Sequence, residues 1–244
     1  MKQIVLVFAA VVLTVSGSAQ KTADIGVWGG TSSYWGDVKE IPPIQGFNPN
    51  FGGFFRYNFH KRVGLRLMFL TGKIAANGFV ENVPWNFDKN VQDFSAQVEI
   101  NYLKYVLGEK KTPFSPYITA GIGVMYFPYE LNPVDLIPIN SDHTKGRGVI
   151  EESVITPSIP LGFGIKFNIG MRMGIGIEYQ IRKILTDKLD NLDDPLAFKN
   201  SAGELITYTD LVHNNDWPGF LGIHLTYKVY LGQKACPAYD VKHW

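Results

Sequence analysis

Two carboxylates set among arginines are the first residues here that could do chemistry. Glu99 and Glu178, with several Arg, could serve general acid–base catalysis or an ion path. Buried charges must be paired wherever they sit, so the same set also reads as a structural plug. His224 with Glu178 and a serine such as Ser95 supplies the ingredients of a lipid hydrolase, which needs nucleophile, base and orienting acid within hydrogen-bond reach near the membrane face. His224 falls beside Thr226 on an inward position and Ser95 on a distant strand, which argues against that triad. Asp187, Asp190, Asp193 and Asp194 crowd one segment, but a calcium loop wants acidic oxygens at alternate positions around a central Gly. That Gly is missing and the spacing is irregular. A solvated loop, or a divalent contact shared with lipopolysaccharide, fits the segment better. Cys236 is the single cysteine. In an exported chain it is either a free thiol or one half of an intermolecular disulfide.

The elements that position these groups follow from a period of two. Met173, Ile175, Ile177, Tyr179 and Ile181 fall on one face of a strand, and Arg172, Gly174, Gly176, Glu178, Gln180 and Arg182 on the other. A strand with lipid on one side and a polar lumen on the other has this pattern. It repeats in eight segments, and the chain reads as all-β, an eight-stranded antiparallel transmembrane β-barrel with short periplasmic turns and long extracellular loops. Outward rows include Phe55–Phe59, Val63–Phe69, Phe94–Tyr102, Ile118–Tyr126, Ile159–Phe167 and Leu221–Leu231, each at every second residue. The turns at His60-Lys61-Arg62, Gly108-Glu109-Lys110-Lys111 and Asn168-Ile169-Gly170 mark the periplasmic rim. Residues 34–48, 78–91, 131–155 and 186–216 are the expected extracellular loops.

The ends bound the compartment. Lys2, an apolar stretch from Ile4 to Val15 and the small residues Ser16 to Ala19 read as a secretory signal peptide over residues 1–20, too short for a spanning helix. The barrel then occupies residues 21–231, and residues 232–244 form a periplasmic C-terminal tail. A formal net charge of +1 gives no basic field to attract nucleic acid. Aromatic residues at 14% and 25 glycines suit interfacial girdles around a tight lumen.

Eight strands leave an interior just wide enough for side chains. Arg56, Arg66, Glu99, Lys166, Arg172, Glu178, Arg182 and Lys228 are therefore expected to fill it as a charge network with no open pore, which makes a pump or channel a poor reading. For partner contact the candidates lie on the periplasmic rim: His60, Lys61, Arg62, Glu109, Lys110, Lys111, and in the tail Cys236, Tyr239 and Trp244. Such basic turns also suit outer-membrane lipid head groups.

Several stretches carry a resemblance. Ser95–Tyr102, Pro116–Gly123 followed by Tyr126, Ile159–Lys166, Gly176–Arg182 with Thr186-Asp187 and Leu189-Asp190 soon after, and Gly29-Gly30 followed by Tyr34 and Gly36-Asp37 occur in order. Together they resemble small Bacteroidetes outer-membrane barrels, the PorG-type barrel of the type IX secretion system. That resemblance implies a component of the protein-export and gliding machinery associated with a periplasmic ring lipoprotein and its partner. It implies no enzyme activity, no cofactor and no catalytic residue. The alternative is a small barrel that binds a surface ligand through its extracellular loops.

Overall fold

The computed structural model describes residues 22–35, 39–40, 48–80, 83–131, 149–186, 188–191, 198–199, 205–206 and 216–230. The expected signal peptide and the expected tail, with Cys236, Tyr239 and Trp244, lie outside the described residues. Eight long strands make the body: β1 Thr22–Trp35, β2 Pro49–His60, β3 Val63–Val80, β4 Val83–Asn101, β5 Phe114–Leu131, β6 Ile150–Ile169, β7 Met173–Ile184 and β8 Trp217–Tyr230. Each pairs antiparallel with its sequence neighbours, and β1 pairs with β8 from Thr22↔Tyr230 to Trp35↔Trp217, so the sheet closes into a ring. Closure leaves no open edge along the shared length of the strands.

Polarity is inverted relative to a water-soluble barrel. Ile118, Ile122, Val98, Phe163, Ile177 and Ile223 face out and are exposed, Ile122 by 73%, while Arg56, Arg66, Glu99, Glu178 and Arg182 are buried inside. On β4 the outward apolar row runs from Phe94 to Ile100 and is continued by Tyr102 just past the strand end, together about the nine residues needed to cross a hydrocarbon core. Above Phe94 the outward residues turn polar at Gln92, Asn90 and Asp88; on β3, paired through Phe69↔Phe94, the change comes at Thr71. An apolar band of bilayer height thus girdles the barrel.

Strand extent departs from expectation at the end opposite the short turns, here termed the long-loop end. Residues 78–80 and 83–91, expected as a loop, are strand: β3 and β4 stay paired from Val63↔Ile100 to Val80↔Val83. Ile150–Ile155, also expected in a loop, extends β6 and pairs with β5 up to Leu131↔Ile150. Inward apolar residues in these extensions explain both. Ile74, Ala76, Phe87, Phe127 and Tyr129 form a core beyond the band, and burying them requires paired strands around them.

The two projecting hairpins separate above Gln92↔Tyr126, and residues 188–191 pack between them. Trp85 Nε1 donates to the Asp190 carbonyl at 2.9 Å, Lys89 Nζ to the Lys188 carbonyl at 2.7 Å, and the Glu130 amide to Asn191 Oδ1 at 3.3 Å. Leu189 is fully buried in the core they enclose. Part of the expected loop 186–216 is therefore a folded wedge in the mouth of the barrel.

Candidate functional site

The lumen is stacked in tiers, each built by alternate residues of neighbouring strands. Nearest the short turns, Arg56 of β2 donates through Nε to Asp24 Oδ2 at 3.0 Å, and through Nη1 to both oxygens of Glu99 at 3.0 and 2.9 Å. Lys166 of β6 closes the tier with an ion pair to Glu99. The next tier is a fork: Arg66 of β3 gives Nη1 to Glu178 Oε2 at 2.9 Å and Nη2 to Glu178 Oε1 at 2.6 Å. The Phe54 ring lies between the two guanidinium groups, 5.7 Å from Arg56 and 5.5 Å from Arg66. Higher still, Arg182 Nε donates to Asp93 Oδ1 at 2.8 Å and Ser158 Oγ to Asp93 Oδ2 at 3.1 Å. Met68, Leu70, Met125 and Phe220 pack around this tier and just below it, with Leu70 and Met125 the cross-strand partners of Asp93, and Ile74 lies above; all are buried.

Glycines on the inner faces make room for this filling. A Cβ on Gly26 would land inside the Phe54 ring, one on Gly222 inside the Trp28 indole, and one on Gly176 against His224.

Four cations (Arg56, Arg66, Lys166, Arg182) thus meet four carboxylates (Asp24, Asp93, Glu99, Glu178) out of contact with water. Every carboxylate is committed to a cation, which suits a plug and leaves none to act as a solvent-facing acid or base. The hydrolase combination is not assembled. His224 Nε2 sits 3.0 Å from Tyr117 Oη and Nδ1 3.2 Å from Thr226 Oγ1, while Ser95 Oγ accepts from Gln97 Nε2.

Arg172, expected in the lumen, is a correction. It lies in the turn before β7, exposed, with Nη1 3.4 Å from Tyr227 Oη on the outer face. The strand begins one residue later, at Met173, so the alternation that carries Glu178 and Arg182 inward does not reach it. Lys228 is buried, but as a clamp on the connection beneath the lumen: Nζ donates to the Leu107 carbonyl at 2.9 Å.

That connection is more than the short turn expected. From Tyr102 to Thr112 the chain folds back under the barrel and buries Tyr105 and Leu107 in its end. The Tyr105 amide donates to the Lys61 carbonyl at 3.0 Å, and Asn168 Nδ2 reaches the carbonyls of Val106, Glu109 and Thr112 at 3.4, 3.1 and 3.3 Å. Gly108 permits the bend. Its φ is +87°, and a Cβ would collide with the Met171 carbonyl. The same fold joins two of the predicted rim segments, with Lys61 Nζ 3.4 Å from Glu109 Oε1. His60, Lys61, Arg62, Lys110 and Lys111 are all exposed there.

Sequence reasoning missed Asp24 and Asp93, the acids of the first and third tiers. Both were legible as the inward neighbours of Ile25 and Phe94. The mouth cluster had no such signal. Tyr34 Oη donates to Asp190 Oδ2 at 2.8 Å and is hydrogen-bonded to Asp216, joining residues 156 and 182 positions apart. Asp190 is buried there, apart from any calcium loop; Asp187, Asp193 and Asp194 lie outside the described residues. Among the described residues, no group of three or more His, Cys, Asp or Glu side chains is placed to hold a metal ion.

Solved structures with a similar fold are small outer-surface barrels. Ail, the attachment invasion locus protein of Yersinia pestis, crystallised with the heparin analogue sucrose octasulfate, is 14% identical, with 86% of this chain and 100% of that one covered at a TM-score of 0.45. Neisserial surface protein A is 11% identical over 88% of this chain and 100% of its own, TM-score 0.45. The outer membrane protein OprG from Pseudomonas aeruginosa is 10% identical over 87% and 98%, TM-score 0.43. No curated protein matches the sequence. One family model matches residues 2–240, nearly the whole chain, and the chain belongs to that family, described as a domain of unknown function, DUF6089.

Proposed function

We propose that this protein is a non-enzymatic subunit of the type IX secretion machinery, an integral outer-membrane barrel that anchors or assembles the periplasmic ring. Membrane insertion rests on the apolar band: a closed barrel with charges inside and Ile122, Phe163 and Ile118 outside is stable only with hydrocarbon around it. The secretion role rests on the ordered motifs. Four of them, Ser95–Tyr102, Pro116–Gly123, Ile159–Lys166 and Gly176–Arg182, fall on β4 to β7, adjacent in the ring. They supply Gln97, Glu99, Tyr117, Lys166, Glu178 and Arg182 to the lumen, so the resemblance is carried by the plug itself. In this reading the short-turn end faces the periplasm, and its rim, including Lys61 and Glu109, together with the tail from Gln233, meets the ring lipoprotein and its partner.

A second reading is supported by the projecting hairpins. Two strand pairs extend beyond the band around the buried Ile74, Phe87, Phe127 and Tyr129, whose cluster continues into the lumen, and form a headpiece that presents a ligand surface outside the cell.

Affinity purification of the tagged full-length protein from native outer membranes under non-reducing conditions separates the two. The secretion reading predicts recovery of the ring lipoprotein and its partner, and a band that collapses on reduction would assign Cys236 an intermolecular disulfide. Recovery of the barrel alone from intact membranes would overturn it and favour the headpiece.

A further inference from the structure

Among the described residues, charge is segregated between the two ends of the barrel even though the chain is nearly neutral overall. At the short-turn end Lys61, Arg62, Lys104, Lys110, Lys111 and Arg172 are exposed, and Glu109 is the one acid near them among the described residues. At the long-loop end the exposed residues include Asp88, Glu130, Glu151 and Glu152, and two lysines there are paired locally, Lys73 with Asp88 and Lys188 with Glu152. Arg62, Lys104, Lys110 and Lys111 have no ion-pair partner among the described residues.

Position decides what this charge can meet. Arg172 sits beside Tyr227 on the outer wall, at the level of lipid head groups. The three lysines of the β4–β5 connection do not. That segment is tied to the β2–β3 turn through Lys61, to β6 through Asn168 and to β8 through Lys228, and so crosses beneath the lumen. Tyr105 and Leu107 point into the barrel, while Lys104, Lys110 and Lys111 stay exposed on the end face. Lipid surrounds the wall of a barrel and does not reach under its axis. Hydrogen bonds from the Tyr105 amide, Asn168 and Lys228 tether this segment to three other parts of the barrel, so the lysines are presented on a folded platform. A fixed array of cations costs less to order on binding than mobile ones.

We propose that the end face carrying Lys61, Arg62, Lys104, Lys110 and Lys111 is a seat for an acidic protein surface. It depends on the docking reading above only for which compartment the face looks into. Complementary charge of this kind sets encounter rate and orientation and weakens with salt.

The test uses full-length barrel in nanodiscs of zwitterionic lipid, with a polyglutamate peptide as the acidic probe. The wild type should bind it in a salt-sensitive way. A variant carrying Lys104→Glu, Lys110→Glu and Lys111→Glu should bind about tenfold or more weakly, a change of about 1.4 kcal/mol. The corresponding Lys→Arg variant should bind like wild type. All are exposed positions, and retained heat-modifiable gel mobility confirms that the barrel is folded. Absent binding, or equal binding by the Glu variant, overturns the proposal. So does displacement of the peptide by phosphatidylglycerol in the nanodisc that depends on the same lysines, which would make the face a lipid site. Native purification then separates the two ideas. Ring proteins recovered equally by wild type and Glu variant would sink the acidic seat and spare the docking reading. Lysine-dependent peptide binding with no ring protein recovered by the wild type would do the reverse.

Discussion

Arg66→Ala is expected to destabilise the barrel by about 3–5 kcal/mol, the usual cost of removing one partner of a buried ion pair. Glu178 would lose both charge-assisted hydrogen bonds, at 2.9 and 2.6 Å, while remaining fully buried, and the Arg66 contact with the Phe54 ring would vanish with them. Among the described residues no other cation is hydrogen-bonded to Glu178: Arg56 and Lys166 are committed to Glu99, and Arg182 to Asp93. The double variant Arg66→Met with Glu178→Leu removes the charge from both sides and should recover most of the loss, because well-packed apolar residues often replace a buried pair at little cost. Urea unfolding in lipid vesicles, followed by the gel shift between folded and unfolded barrel, reads both. A single variant indistinguishable from wild type would mean that water reaches the lumen and that the plug is not a dry network.

Val98→Arg is the second large effect. Val98 pairs with Ala120 halfway along the apolar rows of β4 and β5, and faces out. An arginine there meets the middle of the hydrocarbon and should cost about 2–4 kcal/mol. Asn86→Arg, on the same strand and the same face but beyond Phe94, should cost no more than about 0.5 kcal/mol, as a surface change in water. The contrast between two positions on one strand measures where the membrane ends. Equal costs at the two sites would contradict a band bounded at Phe94.

The barrel was legible in the sequence because lipid and lumen impose opposite polarity on successive residues, and that signal runs through every strand. Glu178 and Arg182 could be placed inside from their alternation with Ile177 and Ile181. The same rule failed for Arg172, where the strand had not yet begun. It also stopped short at residues 78–91, because above the band the outward residues become polar and the lipid signal fades. What keeps that stretch extended is Phe87 packing against distant Tyr34, with ring centroids 4.8 Å apart. A contact across 53 positions leaves no local pattern. The segment under the lumen was hidden for a related reason: Tyr105 and Leu107 look like ordinary turn residues until Lys228 and Asn168, from two other strands, fasten the backbone around them.

Membrane topology is tested most directly by cysteine labelling in intact cells with a membrane-impermeant maleimide, in a Cys236→Ser background. Asn86→Cys should label in intact cells, Lys110→Cys only after the outer membrane is permeabilised, and Val98→Cys in neither state. Labelling of Val98→Cys in intact membranes, or of Lys110→Cys before permeabilisation, would contradict an apolar band in lipid with the short turns inside.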